Sequence, residues 1–375
     1  MKGIRLFAVV SIIVFLFTAC NSNPETSLAQ AVKEGNKEVL EQYLEHGGNL
    51  NQTDEDGTPV IFLVVKSGSQ GLVQRFIKGG AEVNVTDKEG KTPLMYATAN
   101  GQNDIVKILL KAKADIDAKD NEGTTALMIA SDNGNTALVK DLLYASADFN
   151  ATDKFGRTAL YKAIIKKNKD IIKALISAGV EIREKDFVAV GFQDDPKVAQ
   201  ILIEAGANVN SKDKDIRGNT ALILASARGY NDLVKFLIKS GANVNLRDEY
   251  WTTALMGASL QDKLEVAATL LDAGADVNAW DQMKDTALIM ASYRGNLNIV
   301  RLLIIAHADI DVVDKEGKTA LKLAEEEGHT DVVEFLKSLK NKKEDFKPRP
   351  MPIEDDEDST PAFRSLQKPK KIRLL

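Results

Sequence analysis

The stretch Thr319-Ala-Leu-Lys-Leu-Ala-Glu-Glu-Glu-Gly-His-Thr-Asp-Val-Val-Glu-Phe-Leu336 decides the fold, because it is one copy of a unit that recurs through most of this 375-residue chain. Each copy begins with a threonine before an apolar run. These threonines are Thr26, Thr58, Thr92, Thr125, Thr158, Thr220, Thr253, Thr286 and Thr319. They lie 32 to 34 residues apart, except for a gap of 62 residues after Thr158 that has room for two units. The chain therefore holds about ten units.

The residues of one unit predict two helices joined by a turn. In the unit that begins at Thr220, the apolar positions follow helical spacing, first in Leu222, Ala225 and Ser226, and then in Leu233, Val234, Phe236, Leu237 and Ile238. Gly229 separates the two runs, and the threonine hydroxyl can cap the first helix. Because one helix pair cannot bury its own apolar stripe, the copies must stack on one another.

These units resemble the ankyrin-repeat family, which has a period of about 33 residues and the pattern Thr-Pro-Leu-His-x-Ala. Thr92-Pro-Leu-Met-Tyr-Ala97 matches that pattern closely. Glycines also recur after the first helix, at Gly134, Gly229, Gly295 and Gly328. Gly-Ala-x-Val-Asn recurs after the second helix, at residues 206–210, 241–245 and 274–278. The resemblance implies an all-α ankyrin-repeat solenoid of about ten helix-turn-helix units with β-hairpin fingers between them.

The sixth repeat, near residues 180–206, departs from the pattern. Lys185 stands where a threonine is expected, only 27 residues after Thr158. The shortfall lies in residues 180–184, so we expect a stunted finger there, and Asp194-Asp-Pro196 replaces the usual glycine. Such a defect can act as a bend or a weak seam between repeats, or it is harmless drift.

The N-terminal residues predict export. Lys2 and Arg5 precede an apolar run, Leu6–Phe17, that Ser11 alone interrupts. As a helix this run would rise about 18 Å, which is short of the roughly 30 Å hydrocarbon core of a bilayer. It therefore fits a signal peptide, residues 1–19, better than a membrane span.

Cys20, the single cysteine of the chain, follows this run directly. Thr18-Ala-Cys20 resembles a bacterial lipobox, although Phe17 departs from the preferred leucine. The resemblance implies a lipoprotein with acyl chains such as palmitate on Cys20, a linker over residues 20–25, and a place in the cell membrane or outer membrane, facing the periplasm or the surface. Cleavage after Ala19 without lipidation and an uncleaved anchor are the alternatives.

The ankyrin-repeat domain is predicted over residues 26–340, and residues 341–375 form a tail of different character. Five of the nine prolines lie in this tail, together with the acidic run Glu354–Asp358. A basic end follows, with Lys368, Lys370, Lys371 and Arg373. Blocks of like charge predict a disordered, charged, proline-rich segment. The tail either has no partner or uses its basic end to contact an acidic surface, and the acidic run can fold back on the basic residues.

Composition excludes several classes of function. A net charge of −5 without a dominant basic face argues against nucleic-acid binding. The three histidines, His46, His307 and His329, have no cysteine, serine or carboxylate at a spacing typical of a nucleophile pair or a metal site. We therefore predict that the protein is not an enzyme and uses no metal or cofactor.

Aromatic residues suggest where a partner protein binds. Tyr250 and Trp251 fall in the predicted finger before Thr253, and Trp280 and Met283 fall in the next finger. Tyr293 and Arg294 end the following first helix, so we expect these six residues to converge. Trp251 takes a position that is often glycine. Further candidates on the same edge are Phe155, Arg157, Arg228 and Arg247. The rings either form an interface, since aromatic and arginine side chains dominate binding hot spots, or they stiffen the array.

The sequence thus predicts a monomeric, membrane-tethered scaffold of the bacterial cell envelope that binds an unidentified protein partner through its fingers and concave helices. One alternative is an immunity or inhibitor protein that neutralises an envelope-acting toxin. The other is a structural spacer, for which the tether and the stiff repeat array matter more than any binding surface.

Overall fold

The computed structural model describes residues 27–340, and this range contains twenty α-helices in ten consecutive pairs. The first five pairs are α1 (Leu28–Glu34) and α2 (Lys37–Glu45), α3 (Val60–Lys66) and α4 (Gln70–Lys78), α5 (Pro93–Ala99) and α6 (Asn103–Lys111), α7 (Ala126–Asp132) and α8 (Thr136–Tyr144), and α9 (Ala159–Ile165) and α10 (Lys169–Ser177). The last five are α11 (Glu184–Val188) and α12 (Pro196–Glu204), α13 (Ala221–Arg228) and α14 (Asn231–Lys239), α15 (Ala254–Leu260) and α16 (Leu264–Asp272), α17 (Ala287–Tyr293) and α18 (Leu297–Ile305), and α19 (Ala320–Glu326) and α20 (Thr330–Lys340).

These helices belong to two compact units. The first comprises residues up to 162 with residues 177–180, and the second comprises residues 163–176 with residues from 181 onward. In the first unit α1, α3, α5 and α7 pack side by side, and α4 packs on α6. In the second unit α13, α15, α17 and α19 pack in sequence, as do the second helices from α12 to α20. The predicted all-α fold of stacked helix pairs is confirmed.

The core repeats with the helices. In α7 the apolar residues Ala126, Leu127, Met128 and Ala130 are almost fully buried, and α8 contributes Leu138, Val139 and Leu142. Equivalent residues of the other pairs are buried in the same way. Within each unit the pairs thus close their apolar stripes against one another, which is how a repeat protein builds a core from small repeats.

The threonines at the starts of the first helices act as caps, as predicted. In α5, α7, α9, α13, α15, α17 and α19 the capping hydroxyl accepts a hydrogen bond from the backbone N–H three residues on; the caps are Thr92, Thr125, Thr158, Thr220, Thr253, Thr286 and Thr319. Thr58 was the wrong choice, because Pro59 occupies the cap position of α3 and makes no side-chain hydrogen bond. Ser27 caps α1, and Thr26 lies outside the described residues.

The sixth repeat begins two residues earlier than the sequence pattern suggested. Lys185 is not the cap but lies inside α11, and Arg183 occupies the cap position. The Arg183 backbone N–H donates to Asp186 Oδ2 at 3.0 Å, so this repeat is capped by a carboxylate from within the helix. The first helix is correspondingly short and continues as a 3-10 helix, Ala189–Phe192. Residues 178–183 form the whole connection from α10 to α11.

Each finger turns on an aspartate. The carboxylate oxygen of this residue accepts the backbone N–H groups two and four residues on in seven fingers, at Asp54, Asp87, Asp120, Asp153, Asp248, Asp281 and Asp314. Asp213 accepts only the first of these bonds, because a second 3-10 helix, Lys214–Ile216, lengthens its turn. The hairpin pairing is minimal, since four fingers show one antiparallel bridge each, such as Trp280 with Thr286. The fingers are hairpin turns rather than extended strands.

Asparagine side chains join neighbouring repeats at the base of the fingers. Asn245 Nδ2 donates to the Gly274 carbonyl at 3.2 Å, and Asn245 Oδ1 accepts from the Asp276 N–H at 2.8 Å. Asn210 makes the same pair of bonds to Gly241 and Asn243. The recurring asparagine of the Gly-Ala-x-Val-Asn pattern is therefore a structural link that satisfies backbone groups after the second helix.

The predicted signal peptide (1–19), linker (20–25), lipidation site Cys20 and tail (341–375) lie outside the described residues. Within residues 27–340, none of the helices has both the length and the apolar character needed to cross a membrane.

Candidate functional site

The finger tips of the second unit form a row that backbone hydrogen bonds hold together. The Glu249 N–H donates to the Arg217 carbonyl at 2.8 Å, and the Gln282 N–H donates to the Tyr250 carbonyl at 3.0 Å. The Lys315 N–H donates to the Met283 carbonyl at 2.9 Å. Because these bonds follow one pattern, Arg217, Tyr250 and Met283 occupy equivalent positions in consecutive fingers. Tyr250 is 46% exposed and Met283 is 52% exposed.

The two tryptophans contact each other across neighbouring fingers. Their ring centroids lie 5.1 Å apart at an interplanar angle of 61°, which is an edge-to-face arrangement. Trp251 has a left-handed backbone with φ of 66°, in the conformation that Gly90, Gly123, Gly156 and Gly317 adopt in other fingers. It still leaves 37% of its surface exposed. We call Tyr250, Trp251, Trp280 and Met283 together the finger patch.

Two arginines flank the finger patch. The Arg217 guanidinium lies 5.0 Å from the Tyr250 ring centroid, and the Arg247 guanidinium lies 5.7 Å from the Trp280 ring centroid. Both distances allow cation–π attraction. The sequence had marked Arg247 but missed Arg217. Its position just before Gly218, equivalent to those of Tyr250 and Met283, was the available signal.

The structure places the remaining predicted residues elsewhere. Tyr293 and Arg294 end α17, where the Tyr293 carbonyl lies 2.9 Å from His329 Nε2. Among the described residues, no ring contact, hydrogen bond or ion pair joins either residue to the finger patch. Phe155 belongs to the first unit, where Arg157 lies 4.5 Å from its ring centroid. Arg228, at the end of α13, lies 4.6 Å from the ring centroid of Phe192. Of the predicted residues, the four of the finger patch and Arg247 are thus brought together.

The charged side chains differ between the two ends of the finger row. Beyond the finger patch, Asp285 is surrounded by acidic residues, and burial together with Asp281, Asp314 and Glu316 raises the pKa of its carboxyl to about 6. Lys318 pairs with Glu316 at 3.0 Å and with Glu326 at 2.8 Å. The row therefore runs from arginines, through aromatic and apolar side chains, to carboxylates.

Aspartate and histidine side chains of the repeats make contacts within their own turns and helix ends. Within residues 27–340, no three His, Cys, Asp or Glu side chains are grouped so that they could hold a metal ion. The carboxylates of Asp54 and Asp213, which lie in turns rich in acidic residues, accept backbone N–H groups. His46 Nδ1 lies 3.0 Å from the Gln42 carbonyl, at a helix end.

Comparison with known proteins agrees with this architecture. The family described as "Ankyrin repeats (3 copies)" matches residues 28–120, 112–186, 187–281 and 279–347. The chain therefore belongs to the ankyrin-repeat family. A stretch of 47 residues is also 51% identical to the mouse "Ankyrin repeat and SAM domain-containing protein 6". That match covers 12% of this chain and 5% of the mouse protein, so it reflects the shared repeat.

Membership of this family implies a protein-binding scaffold. Ankyrin-repeat proteins are in general non-enzymatic modules for protein interaction. Specificity in such a scaffold resides in side chains carried on the repeats rather than in the fold itself.

Proposed function

We propose that this protein is an exported, lipid-anchored scaffold that holds a partner protein at the bacterial cell envelope. The exposed finger patch is the observation that supports the choice of surface. Aromatic side chains with adjacent arginines are the usual anchors of protein interfaces. Tyr250, Trp251 and Met283 are exposed although they lie on a rigid, hydrogen-bonded row. Such a preorganised surface loses little side-chain freedom when a partner binds.

The anchor part of the proposal depends on the N-terminal sequence. Cys20 follows an apolar run that is too short to cross a bilayer as a helix, and small residues precede it. Lipid chains on this cysteine would tether the repeat domain while leaving the fingers accessible to a partner. Two or more chains are needed for stable attachment, since a single chain binds a membrane only weakly.

One observation supports the alternative that the protein is a structural spacer. Trp251 and Trp280 contact each other, so part of their apolar surface stiffens neighbouring fingers whether or not a partner binds. The immunity alternative places the toxin in the role of the partner and uses the same finger patch.

Partner capture tests the proposal. Full-length protein and its Trp251→Ala, Trp280→Ala variant would be used to capture proteins from envelope extracts. Any captured partner would then be purified, and its affinity for each protein would be measured by calorimetry. We expect the double variant to weaken binding by at least about 30-fold, since each hot-spot truncation costs about 2 kcal/mol or more. Circular dichroism would check that the helices are retained.

Tyr144→Ala is the matched control, because Tyr144 is an aromatic residue with 94% exposure at the end of α8, away from the fingers. It should leave affinity unchanged. Equal affinity of wild type and the double variant, combined with a lower thermal midpoint of the double variant, would favour the spacer.

A further inference from the structure

The cations beside the finger patch lack carboxylate partners. Arg217 and Arg247 face aromatic rings, and among the described residues neither guanidinium forms an ion pair. The nearby carboxylates of Asp248 and Asp281 accept backbone N–H groups of their own turns. A guanidinium that stacks on a ring still presents N–H groups at its edge, and these match a carboxylate. This end of the finger row is therefore suited to an acidic ligand.

The opposite end of the row carries the reverse charge. The Asp285 carboxylate makes no hydrogen bond or ion pair among the described residues, and the carboxylates of Asp281, Asp314 and Glu316 lie close enough to act on it. Lys318 balances only Glu316 and Glu326 by direct pairing. This end is suited to cations, and the apolar finger patch lies between the two ends.

A segment of the same chain carries these three features in matching order. Residues 347–358 read Lys-Pro-Arg-Pro-Met-Pro-Ile-Glu-Asp-Asp-Glu-Asp, and they lie outside the described residues. Two cations come first, an apolar proline-containing stretch follows, and a run of five acidic residues ends the segment. Alternate prolines favour the extended polyproline II conformation, which aromatic-lined surfaces bind.

We propose that residues 347–358 dock along the fingers of the last four repeats, with their acidic run at Arg217 and Arg247 and Met351–Ile353 on the finger patch. Lys347 and Arg349 then lie near Asp285 and Asp314. The direction fits the chain, because the segment leaves from α20 in the last repeat and meets the acidic end of the row first.

The length of the chain also fits. Residues 341–346 can span up to about 20 Å when extended, and they connect the end of α20 to the segment. The docked segment itself can extend about 40 Å. Four stacked repeats are separated by three spacings of about 8–10 Å each, if they follow ordinary helix packing. The segment therefore covers the row without being stretched.

The consequence is a tail that occupies the partner surface until a partner displaces it. That consequence rests on the proposed partner-binding function, whereas the docking does not. The docking is therefore tested with purified protein in the absence of any partner.

Tryptophan fluorescence gives a direct readout, because the chain has two tryptophans and both lie in the finger patch. Acrylamide, a neutral quencher, would be titrated into the purified full chain at low salt. A variant with residues 354–358 neutralised (Glu354→Gln, Asp355→Asn, Asp356→Asn, Glu357→Gln, Asp358→Asn) would be compared with it. We expect the quenching constant of the variant to be about twice that of the wild type.

A second variant tests the other side of the contact. Arg217→Gln with Arg247→Gln should raise the quenching constant equally, and combining it with the neutralised tail should add nothing further. Lys78→Gln with Lys239→Gln, two exposed lysines at ends of second helices, is the matched control and should change nothing. In 1 M NaCl the wild type should match the neutralised variant.

Three outcomes would overturn the proposal. The first is equal quenching of wild type and the neutralised tail variant at low salt. The second is a quenching constant that rises only when the basic end of the tail is neutralised at Lys368, Lys370, Lys371 and Arg373. That result would indicate that the basic end covers the finger patch. The third is a quenching constant that falls as the protein concentration rises, which would indicate that a second copy of the chain covers the finger patch. Unchanged circular dichroism of each variant excludes unfolding as the cause.

Discussion

Some residues of this protein are required by contacts with a neighbouring repeat and not by the repeat pattern. Gly191 lies in the 3-10 helix of the sixth repeat, where the backbone approaches α13 closely. A Cβ atom at this position would lie 2.7 Å from both the Ala221 carbonyl oxygen and Leu224 Cβ. One of these contacts is backbone, so it cannot relax by a rotamer change. The glycine lets the irregular sixth repeat pack against the seventh.

Gly191→Ala should therefore destabilise the protein by about 1–3 kcal/mol through overpacking. Urea unfolding followed by circular dichroism would measure the shift in midpoint. Gly71→Ala is the control, because a Cβ at Gly71 in α4 meets no atom within 4 Å. That substitution should be neutral or stabilise the helix by up to about 1 kcal/mol. Similar losses from both substitutions would contradict the close contact.

Asp285 should make stability depend on pH. Burial and then the carboxylates of Asp281, Asp314 and Glu316 raise its pKa from 3.8 to about 6 in the folded protein. Between these two values the unfolded chain loses its proton while the folded chain keeps it, so stability falls as pH rises. Asparagine does not titrate, so Asp285→Asn removes this loss of stability with rising pH. Its stabilising effect should be near zero at pH 4, grow until pH 6, and then level off at about 1 kcal/mol after allowance for partial exposure.

Thermal midpoints of wild type and Asp285→Asn from pH 4 to pH 8 would measure this difference directly. Other titrating groups are common to both proteins and cancel. A difference that is constant across this range, or that shrinks as pH rises, would show that Asp285 is not the responsible group.

Helices of this protein start where a side chain can satisfy their free N–H groups. Thr253 is buried at the start of α15, and its hydroxyl accepts the Met256 N–H at 3.3 Å. Thr58 looks equivalent in the sequence but precedes the cap position, which Pro59 fills in α3. The two threonines therefore differ in function although both stand before an apolar run.

Thr253→Ala should cost about 1 kcal/mol, the usual loss for an N-cap. Thr58→Ala should stay within about 0.5 kcal/mol of wild type, as expected for a residue outside such a feature. Urea midpoints would compare the two variants. If Thr58→Ala were the more damaging substitution, the assignment of Pro59 to the cap position would be wrong.

At the scale of the whole molecule, the proposed function makes the location of the protein depend on one atom, the sulfur of Cys20. Under the proposed function, acyl chains on this sulfur hold the repeat domain at a membrane. Cys20→Ser removes the only thiol of the chain and leaves the predicted apolar run intact. The expected result in a bacterial host is that the protein moves from the membrane pellet to the soluble fraction.

Incorporation of labelled palmitate is the companion measurement, because wild type should take up label and Cys20→Ser should not. A variant that stays in the pellet without label would indicate an uncleaved anchor instead. Release of both proteins into the soluble fraction would indicate ordinary cleavage after Ala19.

Much of the fold was predictable because the same local sequence signals recur in every repeat. Seven threonine caps and the glycines after the first helices were predicted correctly, since each acts within a few residues of itself. The sixth repeat was misread at Lys185 because a carboxylate inside the helix, Asp186, takes the place of the threonine hydroxyl that caps other first helices.

The sequence alone determined the repeat, its period, its pairs of helices and the aromatic character of two neighbouring fingers, because local spacing encodes these features. Only the tertiary structure decided that Trp251 meets Trp280, that Arg217 and Arg247 flank them, and that Asp285 sits among carboxylates. These are contacts between side chains of successive repeats. They depend on how far and at what angle one finger stands from the next, which packing of the helices sets and spacing along the chain does not.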